Sequence, residues 1–209
     1  MMFRAFVTAT AILLAGSATA QVFDTEKGRI NVATVTSGLE QPWGIDFLPD
    51  GRMIVTEKPG QLRIVTADGK ISSPINGVPA VDDSGQGGLL DVTLHPDFAS
   101  NRLVFLSFSE GGSGGASTAM ASGRLTADGT ALENVKTLFS QRPKVGGGRH
   151  FGSRVVFAPD GNMFLTTGDR GTRHNPQKLG GHIGKVIRLT PDGGVPADNP
   201  FVRKSGALP

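Results

Sequence analysis

The sequence contains no cysteine. This excludes disulfide staples, a thiol nucleophile and a thiolate-bound metal, so the fold has to rest on an apolar core and hydrogen-bonded ladders. Long hydrophobic runs are absent too. The apolar stretch from Ala5 to Gly16 falls short of the ~20 residues that a bilayer-spanning helix requires, and stable membrane insertion is not expected. Past residue 20 there is no sustained 3.6-residue apolar period, which argues against a helical architecture. No basic run is interleaved with aromatics, so nucleic acid is not an expected partner. The Gly-rich segments GQGG (85–88) and GGHIG (180–184) lack a following helix whose N-terminus could cradle a phosphate, and they are not phosphate loops.

What is present begins with a leader. Met1 to Ala20 carries Arg4, the short apolar run and the small-x-small site Ala18-Thr19-Ala20. It reads as a secretory signal peptide, with a mature chain starting at Gln21. The expected address is the bacterial periplasm, with full secretion as the second choice. The formal net charge is +3, or +2 once Arg4 leaves with the leader.

Thirty glycines and thirteen prolines point to many turns, as in all-β chains. Short alternating runs predict strands over 52–57, 61–66, 89–94, 103–108, 153–158, 163–167 and 185–190. In WGIDFLP, Trp43, Ile45 and Phe47 share one face and Asp46 takes the other. These runs repeat. A hairpin with a Pro-Asp turn occurs at FLPDGRMIVTE (47–57), LHPDFASNRLVFLSF (94–108) and FAPDGNMFLTT (157–167). Each is followed by a strand with its own turn: LRIVTADG (62–69), SGRLTADG (122–129) and VIRLTPDG (186–193). Two hairpins recurring in one order predict four-stranded propeller blades in preference to a generic sandwich. Helices longer than about two turns (~7 residues) are not expected. Propellers close on ~4–8 blades, so three units predict that residues 21–209 are the N-terminal part of a longer domain with open strand edges. GGSGGAS (111–117) reads as a flexible hairpin tip, and GGG (146–148) as backbone that passes close to another group.

The chemistry centres on Gly146 to Asp169, GGGRHFGSRVVFAPDGNMFLTTGD. If its two strands pair about the Pro159–Gly161 turn, their outer ends lie side by side and bring His150 near Asp169. A carboxylate beside an imidazole fixes its tautomer and raises its basicity, as a general base requires. The residues alone leave a second reading open, in which His150 is a surface-turn histidine and Asp169 caps a loop.

With GQGGLLDVTLHPDF (85–98), RHFGSRVVFAPDG (149–161) and TTGDRG (166–171), the chain resembles the soluble, pyrroloquinoline quinone (PQQ)-dependent glucose and aldose sugar dehydrogenases. The resemblance runs more loosely from about Val32 to the C-terminus. It implies an all-β, six-bladed propeller of which this chain holds about the first half. It further implies that His150 is the general base and binds at the cofactor, that Asp169 is its partner, and that Gln86 lies by cofactor and sugar. Arg149 stands where the glucose-oxidising type is acidic, which implies a substrate contact with altered sugar preference. The implied reaction oxidises the C1 hydroxyl of an aldose to the lactone. His150 takes the hydroxyl proton, hydride passes from C1 to the quinone, and Ca²⁺ on the cofactor acts as Lewis acid. An external electron acceptor completes the cycle. The Arg and Lys clamps for PQQ and the Ca²⁺ ligands are expected mostly beyond residue 209, with no metal site in this stretch.

Other polar residues have plainer readings. His95 in HPDF is expected to be structural, and His174 and His182 are too poorly spaced, with no third ligand, for zinc. The turn aspartates accept turn hydrogen bonds rather than bind Ca²⁺. The strand pattern does not decide whether Glu57 and Asp91 reach a central channel. Two further functional classes stay open: a non-enzymatic propeller that binds a partner, and a propeller lactonase, which would need a metal-binding carboxylate cluster.

Overall fold

The structure, a computed structural model, describes residues 20–209; the expected signal peptide, Ala20 apart, lies outside the described residues. A first hairpin, β1 (Gln21–Thr25) and β2 (Gly28–Val32), is exposed along its length. Three larger antiparallel sheets follow, each built in chain order. The first is β3 (Pro42–Phe47), β4 (Met53–Glu57) and β5 (Gln61–Val65). The second is β6 (Leu89–Leu94), β7 (Leu103–Gly112), β8 (Gly115–Leu125) and β9 (Leu132–Ser140). The third is β10 (Gly152–Phe157), β11 (Met163–Thr167) and β12 (Val186–Leu189). One helical turn, α1 (Phe98–Asn101), and one 3-10 turn (Asn175–Gln177) complete the described residues.

The two interfaces between these sheets are the core. Ile54 and Leu62 of the first sheet pack with Val92, Leu106 and Phe108 of the second. Phe105, Met120 and Phe139 face the third sheet through Val155, Met163, Leu165 and Ile187. Alternation along β7 thus sends Phe105 one way and Leu106 and Phe108 the other. Burying each such side chain stabilises the stack by ~1.5–3 kcal/mol.

The first strand of every larger sheet carries the same irregularity. Pro42 pairs with Glu57 but Ile45 with Val55; Leu89 with Phe108 but Val92 with Leu106; Gly152 with Thr167 but Val155 with Leu165. In each case one extra residue sits in the first strand, a β-bulge. Opposite the bulge stands a hydroxyl: Thr56, Ser107 or Thr166. It accepts the N–H of Gly44 at 2.8 Å, of Asp91 at 3.0 Å and of Arg154 at 3.0 Å, respectively. Thr56 then donates to the Leu90 carbonyl at 2.5 Å, and Ser107 to the Ser153 carbonyl at 2.6 Å. Each of these two hydroxyls therefore satisfies a bulge in its own sheet and ties it to the bulge of the next. At Gly44 the approach is so close that a Cβ would lie 2.7 Å from the Leu90 oxygen.

The repeated turns behave as expected. Asp50 and Asp160 accept the N–H of Arg52 and Asn162, at 3.1 and 3.0 Å. Thr66, Thr126 and Thr190 donate to Asp68, Asp128 and Asp192. In the second unit the Pro-Asp turn instead leads into α1, which buries Phe98.

Several expectations need correction. Only the second sheet has the four strands expected of each; that the sheets do not close into a ring among the described residues is no departure, since three units with open edges were expected. Beside β5 the fourth-strand place is taken by residues 71–75, which bond through Ser72 and Ile75 to Ile64 and Leu62. Pro74 lacks the N–H that a regular ladder needs there. The segment 111–117 is no loose tip: β7 and β8 stay paired to Gly112–Gly115. Gly115 is required because Val145–Gly146 backbone crosses it, where a Cβ would come within 2.4 Å. β9 was not expected as a strand, since its polar run Glu133–Lys136 hides the alternation and two bulges break its register with β8. Trp43, Ile45 and Phe47 remain exposed on the outer face of the first sheet, as do Val156 and Val186 on the third.

Candidate active site

The β10–β11 hairpin closes about Pro159–Gly161, with Gly161 N–H donating to the Ala158 carbonyl at 3.0 Å. Its open end places Gly152 opposite Thr167 and carries the chain on to His150 and Asp169. His150 Nδ1 lies 2.7 Å from Asp169 Oδ1. The carboxylate is an acceptor, held below its ordinary value of 3.8 first by the Gly171 N–H, at 2.9 Å, and then by His150. The proton of the neutral ring therefore resides on Nδ1, and Nε2 keeps its lone pair. Both side chains stay in contact with water, at 52% and 36% exposure, so the pair can exchange protons with a ligand or solvent.

The turn at His150 is built by crossing loops. His150 has φ 55°, a left-handed value uncommon outside glycine. Its N–H donates to Gln86 Oε1 at 2.8 Å, while the Gln86 N–H donates to the Gly148 carbonyl at 2.7 Å. The glycines of 146–148 and of GQGG thus meet: a Cβ on Gly85 would lie 2.3 Å from the Gly148 oxygen. Below the turn, the Phe151 carbonyl accepts from Thr118 Oγ1 at 2.6 Å and from the Gly168 N–H at 2.8 Å.

His150 and Gln86 line one open cleft of about 420 Å³, together with Trp43, Lys58, Leu90 and Phe151. Lys58 carries no site signal in the sequence, and Trp43 shows there only as part of a strand face. Lys58 directly follows β4 and sends its ammonium to the Asp83 carbonyl at 2.6 Å. Only its place at a strand end, where propeller-like repeats gather their loops, could have marked it. Arg149 is not among the cleft-lining residues; its guanidinium lies against Gly171, and its charge helps keep Asp169 ionised.

The remaining polar residues are accounted for by packing. Glu57 is 1% exposed, and its carboxylate takes Arg63 at 2.7 Å and the Glu40 N–H. Asp91 is fully buried, holding Arg154 at 2.6 Å and the Val155 N–H at 2.8 Å. Both are joints within and between sheets, which answers the question the strand pattern left open. His95 accepts the Asp97 N–H at 3.0 Å and packs edge-on to Phe157. His182 accepts the Arg142 N–H at 3.2 Å and packs on Phe139; burial, then the charges of Arg142 and Lys185, lower its pKa. Among the described residues no three His, Cys, Asp or Glu side chains gather as a metal cluster would.

Stacked antiparallel sheets carrying an imidazole–carboxylate pair beside an open cleft define an all-β protein with a candidate site for proton transfer. The chain belongs to the Glucose / Sorbosone dehydrogenase family, whose profile matches residues 39–209. It is 44% identical over 180 residues to aldose sugar dehydrogenase YliI of Escherichia coli (strain K12), covering 85% of this chain and 48% of that protein. It superposes on the apo crystal structure of the soluble aldose sugar dehydrogenase from Escherichia coli with a TM-score of 0.82, at 41% identity, over 91% of this chain and 52% of that one. The PQQ-bound aldose sugar dehydrogenase from Streptomyces coelicolor matches with a TM-score of 0.73 and 31% identity, over 92% of this chain and 54% of that one. The chain spans about half the length of the curated relatives it matches. The family is that of PQQ-dependent aldose sugar dehydrogenases of the glucose/sorbosone type.

Proposed function

We propose that the whole protein oxidises the C1 hydroxyl of an aldose to the lactone, with PQQ and Ca²⁺ as cofactors and an external electron acceptor. The observation that carries this reading is the 2.7 Å bond between His150 Nδ1 and Asp169 Oδ1 beside the cleft. It leaves Nε2 as a base for a sugar hydroxyl, with a carboxylate to stabilise the imidazolium that forms. The cleft volume falls within the ~300–1,000 Å³ usual for small-molecule sites.

The residues present fit one part of a planar, tricarboxylated quinone. Lys58 supplies a cation for a carboxylate, Trp43 and Phe151 supply apolar wall, and the Gln86 amide supplies polar contact. When bound, PQQ supplies the two-electron acceptor. His150 Nε2 removes the proton of the anomeric hydroxyl as C1 gives up its hydride, so that the C1–O bond becomes the lactone carbonyl. Asp169 holds the ring in the productive tautomer, and Gln86 fixes the backbone of the turn. Arg149 tunes sugar preference from the rim. The Ca²⁺ ligands and most cofactor clamps lie beyond residue 209 in this proposal. The three sheets are then the first blades of a six-bladed propeller, residues 21–209 are its N-terminal part, and residues 1–20 are a signal peptide directing export to the periplasm. The likeness to YliI and the family profile support that placement.

The test is reconstitution of the full-length protein with PQQ and Ca²⁺, followed by dye reduction across a panel of aldoses. Sugar-dependent reduction with lactone formation is the expected result. Bound PQQ without turnover on any aldose would overturn it and favour a non-catalytic binding module.

A further inference from the structure

We propose that Arg170 is the positioning residue of the His150–Asp169 pair, an inference that rests on the reading of His150 as the base. Arg170 follows Asp169 directly, and its side chain turns back to the His150 loop. Its Nη1 donates to the Arg149 carbonyl, and its Nη2 donates to the Ala116 carbonyl at 3.3 Å. The guanidinium carbon lies 3.5 Å from the centroid of the Phe151 ring. The Arg170 backbone N–H donates to the His150 carbonyl at 3.4 Å. One residue thus holds the position before the imidazole, the imidazole's own backbone and the position after it. Because Asp169 is its chain neighbour, it sets both members of the pair at once. His150 and Arg170 share left-handed backbone, at φ 55° and 53°, which persists only where the surroundings impose it.

Simple packing does not call for this residue type. Arg170 is 2% exposed, its Nε has no partner, and its hydrogen bonds go to neutral carbonyls. Burial draws its pKa below the ordinary value, with the charges of Asp82 and Asp169 opposing. A buried cation without a directly bonded counter-ion is costly, and an apolar side chain of similar volume often serves packing better. An apolar side chain could not grip carbonyls from two separate segments while stacking flat on a ring; a guanidinium can. The grip falls on the residues that aim the imidazole.

The test uses the full-length protein. Arg170→Met keeps the bulk and removes the grip, while Arg170→Lys keeps the charge on a single-point donor. Selective ¹⁵N-histidine labelling of the apoprotein reads the His150 tautomer without any turnover, with the resonance assigned by His150→Gln. The expected result is a ring protonated on Nδ1 in the wild type and averaged tautomers in Arg170→Met. With quinone bound, turnover of Arg170→Met falls ~10–100-fold, as for an ångström-scale misplacement, with a smaller change in KM. Arg170→Lys recovers part of both signals. An Arg170→Met protein that melts earlier yet keeps the wild-type tautomer and turnover would overturn the proposal. If Arg170→Met does not fold, Arg170→Lys decides: averaged tautomers support the role and an unchanged ring refutes it. Failure of the dehydrogenase reading shows separately, as a wild type without turnover whose tautomer still responds to Arg170→Met.

Discussion

Ser107→Ala is the sharpest test of how the sheets are joined. The hydroxyl of Ser107 is fully buried, accepts the Asp91 N–H at 3.0 Å and donates to the Ser153 carbonyl of the next sheet at 2.6 Å. Alanine leaves two buried backbone groups without a partner, each at a cost of ~1–3 kcal/mol, or about 2–6 kcal/mol together. With a urea slope of ~2 kcal/mol/M, the unfolding midpoint of the full-length protein should fall by about 1–3 M. Ser100→Ala is the control: its hydroxyl bonds the Asp97 carbonyl at 2.9 Å on the exposed end of α1, and its loss should stay within ~0.5 kcal/mol. Because Ser153 lies in the bulge of β10, close in sequence to His150, Ser107→Ala should also lower turnover in the fraction that remains folded. A midpoint indistinguishable from that of Ser100→Ala would refute the claim that this hydroxyl joins two sheets.

Turnover should fall ~10²–10⁴-fold in His150→Ala, the scale of a positioned general base, with quinone binding much less affected; steady-state dye reduction and a fluorescence titration of PQQ check the two halves. Asp169→Asn should cost less, since the imidazole stays but loses its orienting charge, and a loss equal to that of His150→Ala would contradict the assigned roles. Asp169, held down by Gly171 and His150, should stay ionised as pH falls through 3.8; its contribution to stability is complete above that value and is lost only as pH falls through the lower folded one. Carboxylate ¹³C NMR reads this directly, and a midpoint at or above 3.8 would show that the hydrogen bonds do not persist in solution. Residues 21–209 alone should be inactive and poorly soluble because Trp43, Ile45 and Phe47 on one side and Val156 and Val186 on the other are uncovered; sedimentation of that fragment as a soluble monomer would contradict this.

How much of this was legible depends on how far apart the interacting residues are. The turns at Asp50, Asp68, Asp128, Asp160 and Asp192 were readable because the side-chain bonds that make them join residues only two positions apart. The His150–Asp169 pair was readable for a related reason: a tight hairpin has a register, and the register brings together two residues nineteen positions apart. Three other features were not readable, because each depends on a distant segment. β7 and β8 extend through glycines because Val145–Gly146 passes over them. Asp91 is buried because Arg154 and the Val155 N–H of the neighbouring sheet meet it there. Arg170 carries no signal of its own in the sequence; its place under the His150 turn, between Arg149, Phe151 and Ala116, comes only from the fold. Local sequence sets turns, alternation and hairpin register, since short-range sterics and hydrogen bonds suffice for them. Burial, the pairing of bulges across sheets and the clamp beneath the imidazole arise only when segments thirty to sixty residues apart exclude water from one another.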